Sequence, residues 1–204
     1  MKYNPDIHHR HSIRLREYDY SGGGAYFVTI CAHQRECLFG EVVDGEMQLY
    51  EAGHVIEERW EQVTKHFHGV SLDQYVIMPN HFHGILMTVG AGFPRPGFPR
   101  PNRCNEDNPG GETPINPDGE TPINPGGATP PQRCPTLGQI VGYFKYQSTK
   151  RINELRDNAG APVWQRNYYE HIIRNDDDLA NIRRYIVENP MKWDLDENNP
   201  VNVK

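Results

Sequence analysis

The sequence predicts an α+β fold: a ferredoxin-like sandwich with a mainly antiparallel sheet and helices on one face, interrupted by a long Pro/Gly-rich insertion. Three observations carry that reading. Runs of β-branched and aromatic residues alternate with longer runs of helical periodicity, in the order strand, helix, two strands, helix, strand, helix. The two middle strand segments are separated only by Pro79-Asn80, which forces a break or tight turn between them. Residues 89–135 then abandon the pattern altogether.

AYFVTICA (25–32) is rich in aromatic and β-branched residues and reads as a strand. GEVVDGEMQLY (40–50) reads as a hairpin turning at Asp44-Gly45. A helix over 51–66 follows, with Ala52, Val55, Ile56, Trp60 and Val63 on one face. SLDQYVIMP (71–79) and HFHGILMTV (81–89) are the paired strands. Beyond the insertion, Thr136 and Gln139 fit a capping box. The helix they open runs to about 156, with Leu137, Ile140, Val141, Phe144, Ile152 and Leu155 inward. PVWQRNYYEHIIR (162–174) is extended, and Asn175 is an N-cap followed by Asp176, Asp177 and Asp178, which suit the positive end of a helix. That last helix stops before Pro190.

GFPRPGFPRP (92–101) writes one five-residue unit twice, and 111–130 carries two close copies of a GETPINP-like unit and one degraded copy. Such units hold too few apolar residues to offset the entropy of ordering and are too short to stack, so 89–135 is expected to be a flexible low-complexity insertion. Residues 1–88 and 136–195 then form one domain, and 196–204 a C-terminal tail. The diluted composition agrees, with 36% hydrophobic residues, Gly 19 and Pro 17. No apolar run is long enough for a membrane span, and the polar N-terminus lacks the centre of a signal peptide, so a cytoplasmic, nucleoid-associated protein is expected. Cys31, Cys37, Cys104 and Cys134 form no C-x-x-C pair, which argues against a zinc knuckle and for free thiols, a Cys104–Cys134 bridge being the alternative. The net charge of −6 counts against a simple electrostatic DNA binder, but the basic residues cluster locally.

His81-Phe82-His83 is the first chemical candidate. On a strand His81 and His83 share a face while Phe82 points into the other layer, so two imidazoles can grip one ion. Two half-exposed surface histidines are the bland alternative. On the last helix Tyr185 and Asn189 are one turn apart beside the apolar stripe Leu179, Ile182 and Ile186. Asn189 offers an amide oxygen suited to a hard cation, Mg²⁺ or Mn²⁺, and Tyr185 a hydroxyl. Periodicity alone equally fits a tyrosine packing at the helix edge and an asparagine ending the helix.

YFVTICAHQRECLF, YVIMPNHFHGILM and PVWQRNYYEHIIRNDDDLANIRRYIVENPMKW resemble the REP-associated tyrosine transposases, part of the wider single-tyrosine HUH transposase group. The resemblance spans most of 13–88 and 136–195; the insertion is not part of the family pattern. It implies that His81 and His83 are metal ligands, that Tyr185 is the nucleophile and that Asn189, a glutamine in some relatives, is the third ligand of one divalent ion. It also implies cleavage and rejoining of single-stranded or hairpin DNA, typically repetitive extragenic palindromes, through a 5′-phosphotyrosine, by a monomer or homodimer. Zinc is the poorer fit, because two imidazoles and an amide lack the charge and softness of a typical zinc site.

Tyr168 and Tyr169 compete with Tyr185, but adjacent strand residues face opposite ways, so one packs inward. Tyr143 and Tyr146 beside Lys145 and Lys150 suggest base stacking with phosphate contacts, or a solvated helix face. Arg14, Arg16, Arg174 and Arg184 are further phosphate-binding candidates. Two other readings stand beside the transposase: a non-catalytic nucleic-acid-binding protein of ferredoxin-like fold, and a replication initiator or relaxase, which would usually bring further domains.

Overall fold

The computed structural model describes residues 23–88 and 135–202. The expectations on the insertion, Arg14, Arg16, Cys104 and Cys134 lie outside them. The order is β1 (Gly24–Cys31), a 3-10 turn His33–Arg35, β2 (Gly40–Val43), β3 (Glu46–Leu49), α1 (Glu51–Glu61), α2 (Val63–His66), β4 (Val70–Met78), β5 (His81–Thr88), α3 (Leu137–Leu155), β6 (Tyr169–Ile173), α4 (Asp176–Glu188) and a 3-10 segment Pro190–Leu195. Four strands form one sheet in the order β4-β5-β1-β6, every neighbour antiparallel. With α1 joining β1 to β4 and α3 joining β5 to β6, this is the ferredoxin-like arrangement. The hairpin β2–β3 stands apart, turning on Asp44 (φ 53°) and Gly45 (φ 79°), the left-handed pair that a tight two-residue turn needs.

Strand alternation divides the apolar residues into two cores. Tyr26, Val28, Ile30, Phe82 and Leu86 pack with Val55, Ile56 and Trp60 of α1 and with Ile140, Val141 and Phe144 of α3. Ala25, Phe27, Ile85, Met87 and Ile173 pack with Leu179 and Ile186 of α4. The expectation of helices on one face thus holds for α1 and α3 and is corrected for α4, which covers the opposite face. The cause is parity: Ala25, Phe27, Ile85 and Met87 leave a second apolar strip that needs its own cover.

The helix ends match their sequence signals. Thr136 Oγ1 accepts from Gln139 N (3.4 Å) while Gln139 Oε1 accepts from Thr136 N (2.8 Å), closing the capping box of α3. Asn175 Oδ1 accepts from Asp178 N (2.8 Å) at the start of α4. Three details differ. The helix expected over 51–66 divides at Gln62. Leu155, expected inward, is exposed in the last turn of α3, where Asn153 is buried instead and donates to Ala161 O (2.8 Å). Of the extended stretch, 169–173 forms β6, while Trp164 makes an isolated antiparallel bridge to Ala32, with Gln165 N donating to Cys31 O (2.9 Å) and His33 N to Val163 O (2.8 Å); the carbonyls of Gln165 and Arg166 accept from the Lys145 ammonium.

Candidate active site

His81 and His83 point from β5 toward α4 and are almost fully buried, while Phe82 turns into the other core against Trp60. Their rings lie 4.6 Å apart, centroid to centroid. Sheet register places Thr29 beside His83, and its Oγ1 lies 2.8 Å from His83 Nδ1. His81 is oriented by Asn80, itself fully buried. Asn80 Nδ2 donates to Arg35 O (3.0 Å) and Asn198 O (2.7 Å), which fixes which end of the amide is oxygen. Asn80 Oδ1 therefore faces His81 Nδ1 at 2.9 Å, and the ring must carry its proton there. His81 Nε2 is left as a bare lone pair, the form in which imidazole binds a metal. Burial favours the same neutral state: it lowers His81 to about 4, against the opposing pull of Asp196. His83 is likewise held well below its usual value, by burial and then by His81.

Tyr185 reaches the pair from α4. Its hydroxyl lies 3.3 Å from His83 Nε2, and its ring stands edge-on to Phe27. Burial pushes the phenol up, and Asp196 pushes it further against the Asn189 carboxamide. The residue as a whole is still 44% exposed. Asn189 caps the C-terminus of α4 and is buried, yet its Oδ1 has no hydrogen-bond partner. The helix is tied down by Arg183, whose guanidinium bonds both carboxylate oxygens of Asp73 (Nε to Oδ1 3.0 Å) beside the irregularity between Leu72 and Tyr75 in β4.

Residues 196–202, expected as a tail, fold back over this centre. Asn198 and Asn199 are buried. Asp196 brings a carboxylate whose Oδ2 lies 3.8 Å from His81 Nε2. Ligand atoms of His81, His83 and Asp196 all lie within 4.8 Å of one another. This donor set, with two buried acceptor atoms lacking hydrogen-bond partners at Asn189 Oδ1 and His81 Nε2, could hold a metal ion. Thr29, Asn80 and Asp196 were not singled out from the sequence. Strand parity could have found Thr29, on the same face of β1 as Phe27; nothing periodic marks Asp196.

The remaining candidates do not converge here. Tyr143 lies on α3, beyond the opposite face of the sheet, with its ring stacked on His66 at 3.9 Å. Lys145 donates to Gln165 O (2.6 Å) and Arg166 O (3.1 Å), and burial lowers its pKa. Lys150 is exposed on the same helix. Arg174 and Arg184 are exposed at the two ends of the α4 region, and Arg184 adjoins Tyr185 in sequence. Tyr168 packs against the larger core, whereas Tyr169 is exposed. Among the described residues no helix is long and apolar enough to cross a membrane.

Fold and site together define a ferredoxin-like α+β domain with a paired-imidazole centre faced by a helix-borne phenol. No family model matches the chain. A Haemophilus influenzae protein named only "Uncharacterized protein" is 37% identical over 201 residues, 96% of each chain. A second protein of that organism, named "Putative REP-associated tyrosine transposase", is 38% identical over 178 residues, 85% of this chain and 74% of the other. The solved structure of a REP-associated tyrosine transposase bound to a REP hairpin shares the fold, with TM-score 0.51 at 19% identity, over 88% of this chain and 73% of that one. The chain belongs to the REP-associated tyrosine transposases.

Proposed function

We propose that this transposase cuts and rejoins single-stranded or hairpin DNA as a single-tyrosine HUH enzyme, with Tyr185 as nucleophile and one Mg²⁺ or Mn²⁺ held by His81, His83 and Asn189. One observation carries the reading: the Tyr185 hydroxyl lies 3.3 Å from the Nε2 of a buried imidazole pair, next to an unpartnered carboxamide oxygen. A bound divalent ion supplies Lewis-acid polarisation of a phosphate oxygen. Asn80 and Thr29 hold the two rings in orientation, and Phe27 braces the phenol edge-on. The phenol is protonated at neutral pH and loses its proton to water. Its oxygen bonds to phosphorus as the bond to the 3′ oxygen breaks, and that oxygen takes up a proton. The products are a 5′-phosphotyrosine and a free 3′-OH, and attack by another 3′-OH on the phosphotyrosine rejoins the strand without ATP. Arg174 and Arg184 flank the site from the α4 side and meet the backbone phosphates. An enzyme acting on chromosomal DNA would work in the cytoplasm, at the nucleoid.

The test uses a hairpin oligonucleotide labelled at its 3′ end. Wild type with Mn²⁺ should form a denaturant-stable adduct, and Tyr185→Phe should form none while binding the same DNA. An adduct with Tyr185→Phe would remove the nucleophile assignment. DNA binding by wild type with no adduct under any divalent ion would favour a non-catalytic binding protein.

A further inference from the structure

Beyond the ligands named above, the C-terminal segment brings a charged group to the same centre. Asp196 Oδ1 accepts from Asn198 N (2.6 Å), capping its own turn and turning Oδ2 toward His81. Oδ2 stands 3.8 Å from His81 Nε2, and the Asp196 side chain is 7% exposed. The Asn80 amide has already fixed the proton of His81 on Nδ1. Nε2 itself has no hydrogen-bond partner, and 3.8 Å is too long for a direct hydrogen bond to the carboxylate. Two buried polar atoms thus face each other without bonding directly, with His83 close by, a spacing that an ion ligated by all three residues would fill.

Besides that bond to Asn198 N, the segment is held by contacts that do not involve the Asp196 carboxylate. Asn80 Nδ2 bonds Asn198 O, Arg35 Nη1 donates to Glu197 O (2.9 Å), and Asn202 Nδ2 donates to Asp194 O (2.8 Å) and Asp196 O (3.0 Å). Asn80 is the junction: one end of its amide sets the His81 ring and the other holds the strand of chain that carries Asp196. The carboxylate is thus positioned by the fold and is not an acidic side chain that drifted near a histidine.

We infer that Asp196 is an anionic ligand of the divalent ion, so that the 193–202 segment is part of the metal centre. The inference rests on the metal reading above and deepens it. It also answers a chemical question that His81, His83 and Asn189 leave open. Those three donors are neutral, whereas Mg²⁺ and Mn²⁺ sites ordinarily include carboxylate oxygen. Asp196 supplies the missing charge.

The experiment titrates Mn²⁺ into the full chain, reading free Mn²⁺ by electron paramagnetic resonance and melting temperature in parallel. Asp196→Asn keeps an oxygen to accept from Asn198 N, so it should fold. It should melt without metal no lower than wild type, and it should bind Mn²⁺ at least tenfold more weakly. His83→Ala should lose Mn²⁺ binding, and Tyr185→Phe should keep it. Asp196→Cys should shift preference from Mn²⁺ toward Cd²⁺, a change that a purely structural role would not produce. Wild-type affinity in Asp196→Asn, with binding lost in His83→Ala, would remove Asp196 while leaving the metal site standing. A melting temperature for metal-free Asp196→Asn far below wild type would make the carboxylate structural and overturn the inference. Absence of Mn²⁺ binding by wild type would overturn both readings together.

Discussion

Along β5, neighbouring residues live in opposite chemical worlds. Phe82 packs against Trp60 (4.7 Å between ring centroids) and Phe144 (5.3 Å) under α1 and α3, in a core made almost wholly of hydrocarbon. His81 and His83, one residue to either side, face Tyr185, Asn189 and Asp196 under α4 and the C-terminal segment. Both faces are buried and both carry polar atoms without hydrogen-bond partners, Trp60 Nε1 on the closed face among them, but on the α4 face two such acceptors, His81 Nε2 and Asn189 Oδ1, belong to the residues gathered around Tyr185 and Asp196. A buried acceptor without a donor destabilises the fold, so two of them gathered at one centre mark a place where stability has yielded to ligand binding. The closed face builds the platform and the α4 face uses it.

Substitutions on β5 test that division directly. Phe82→Ala should cost about 3–5 kcal/mol, the usual loss for a buried aromatic ring, with a large fall in melting temperature. His83→Ala, two atoms of backbone pleat away on the other face, should cost metal-free protein well under half as much, because the ring it removes is a desolvated polar group. Equal losses in thermal denaturation would mean that the two faces share the stabilising burden. A finer probe is Gly84→Ala. A Cβ there would come within 2.8 Å of the Phe82 and Trp60 rings, inside a packed cluster with little room to shift. Overpacking of this kind costs about 1–3 kcal/mol. A neutral Gly84→Ala in chemical denaturation would show that the closed face is looser than its geometry suggests.

Most of the closed face was legible in the sequence, because its rules are local. The period of two along β1 and β5, the Asp44-Gly45 turn and the Thr136/Gln139 box each act over a few residues, and each formed as read. The H-x-H pair and the Tyr185/Asn189 spacing were legible for the same reason. What escaped depends on long-range hydrogen bonds. Asn80 read only as a turn residue, yet it bonds a carbonyl 118 positions away. Asp196 sat in a polar stretch without periodicity, indistinguishable from a tail until Arg35 and Asn80 are seen holding it. At Lys145 the sequence shows the charge but not the two carbonyls to which its ammonium donates. The side of the sheet taken by α4 was hidden too, since its apolar stripe fits either face until the strands' parity is set.

The smallest expected effect concerns how α4 is kept on its face. Arg183 bridges to Asp73, and this bond sets the register in which Tyr185 and Asn189 meet the histidines. Burial raises the Asp73 carboxyl, but the Arg183 bond and the Gln74 N–H outweigh it, so the group titrates below the ordinary carboxylate range. A depressed native value means that the unfolded chain takes up the proton first. The pair's contribution is therefore full above about pH 4 and is lost as pH falls through the native value. Asp178, lowered chiefly by its bond to His171, shifts stability in the same direction, so the informative quantity is the difference between wild type and Asp73→Asn. At pH 7 the variant should be less stable by roughly 0.5–1 kcal/mol, the scale of a partly exposed ion pair. By about pH 3 that gap should have narrowed as wild-type Asp73 takes up its own proton. A gap that stays constant from pH 7 to pH 3 in urea denaturation would mean that packing of Leu179 and Ile186, and not the ion pair, alone fixes α4 over the site.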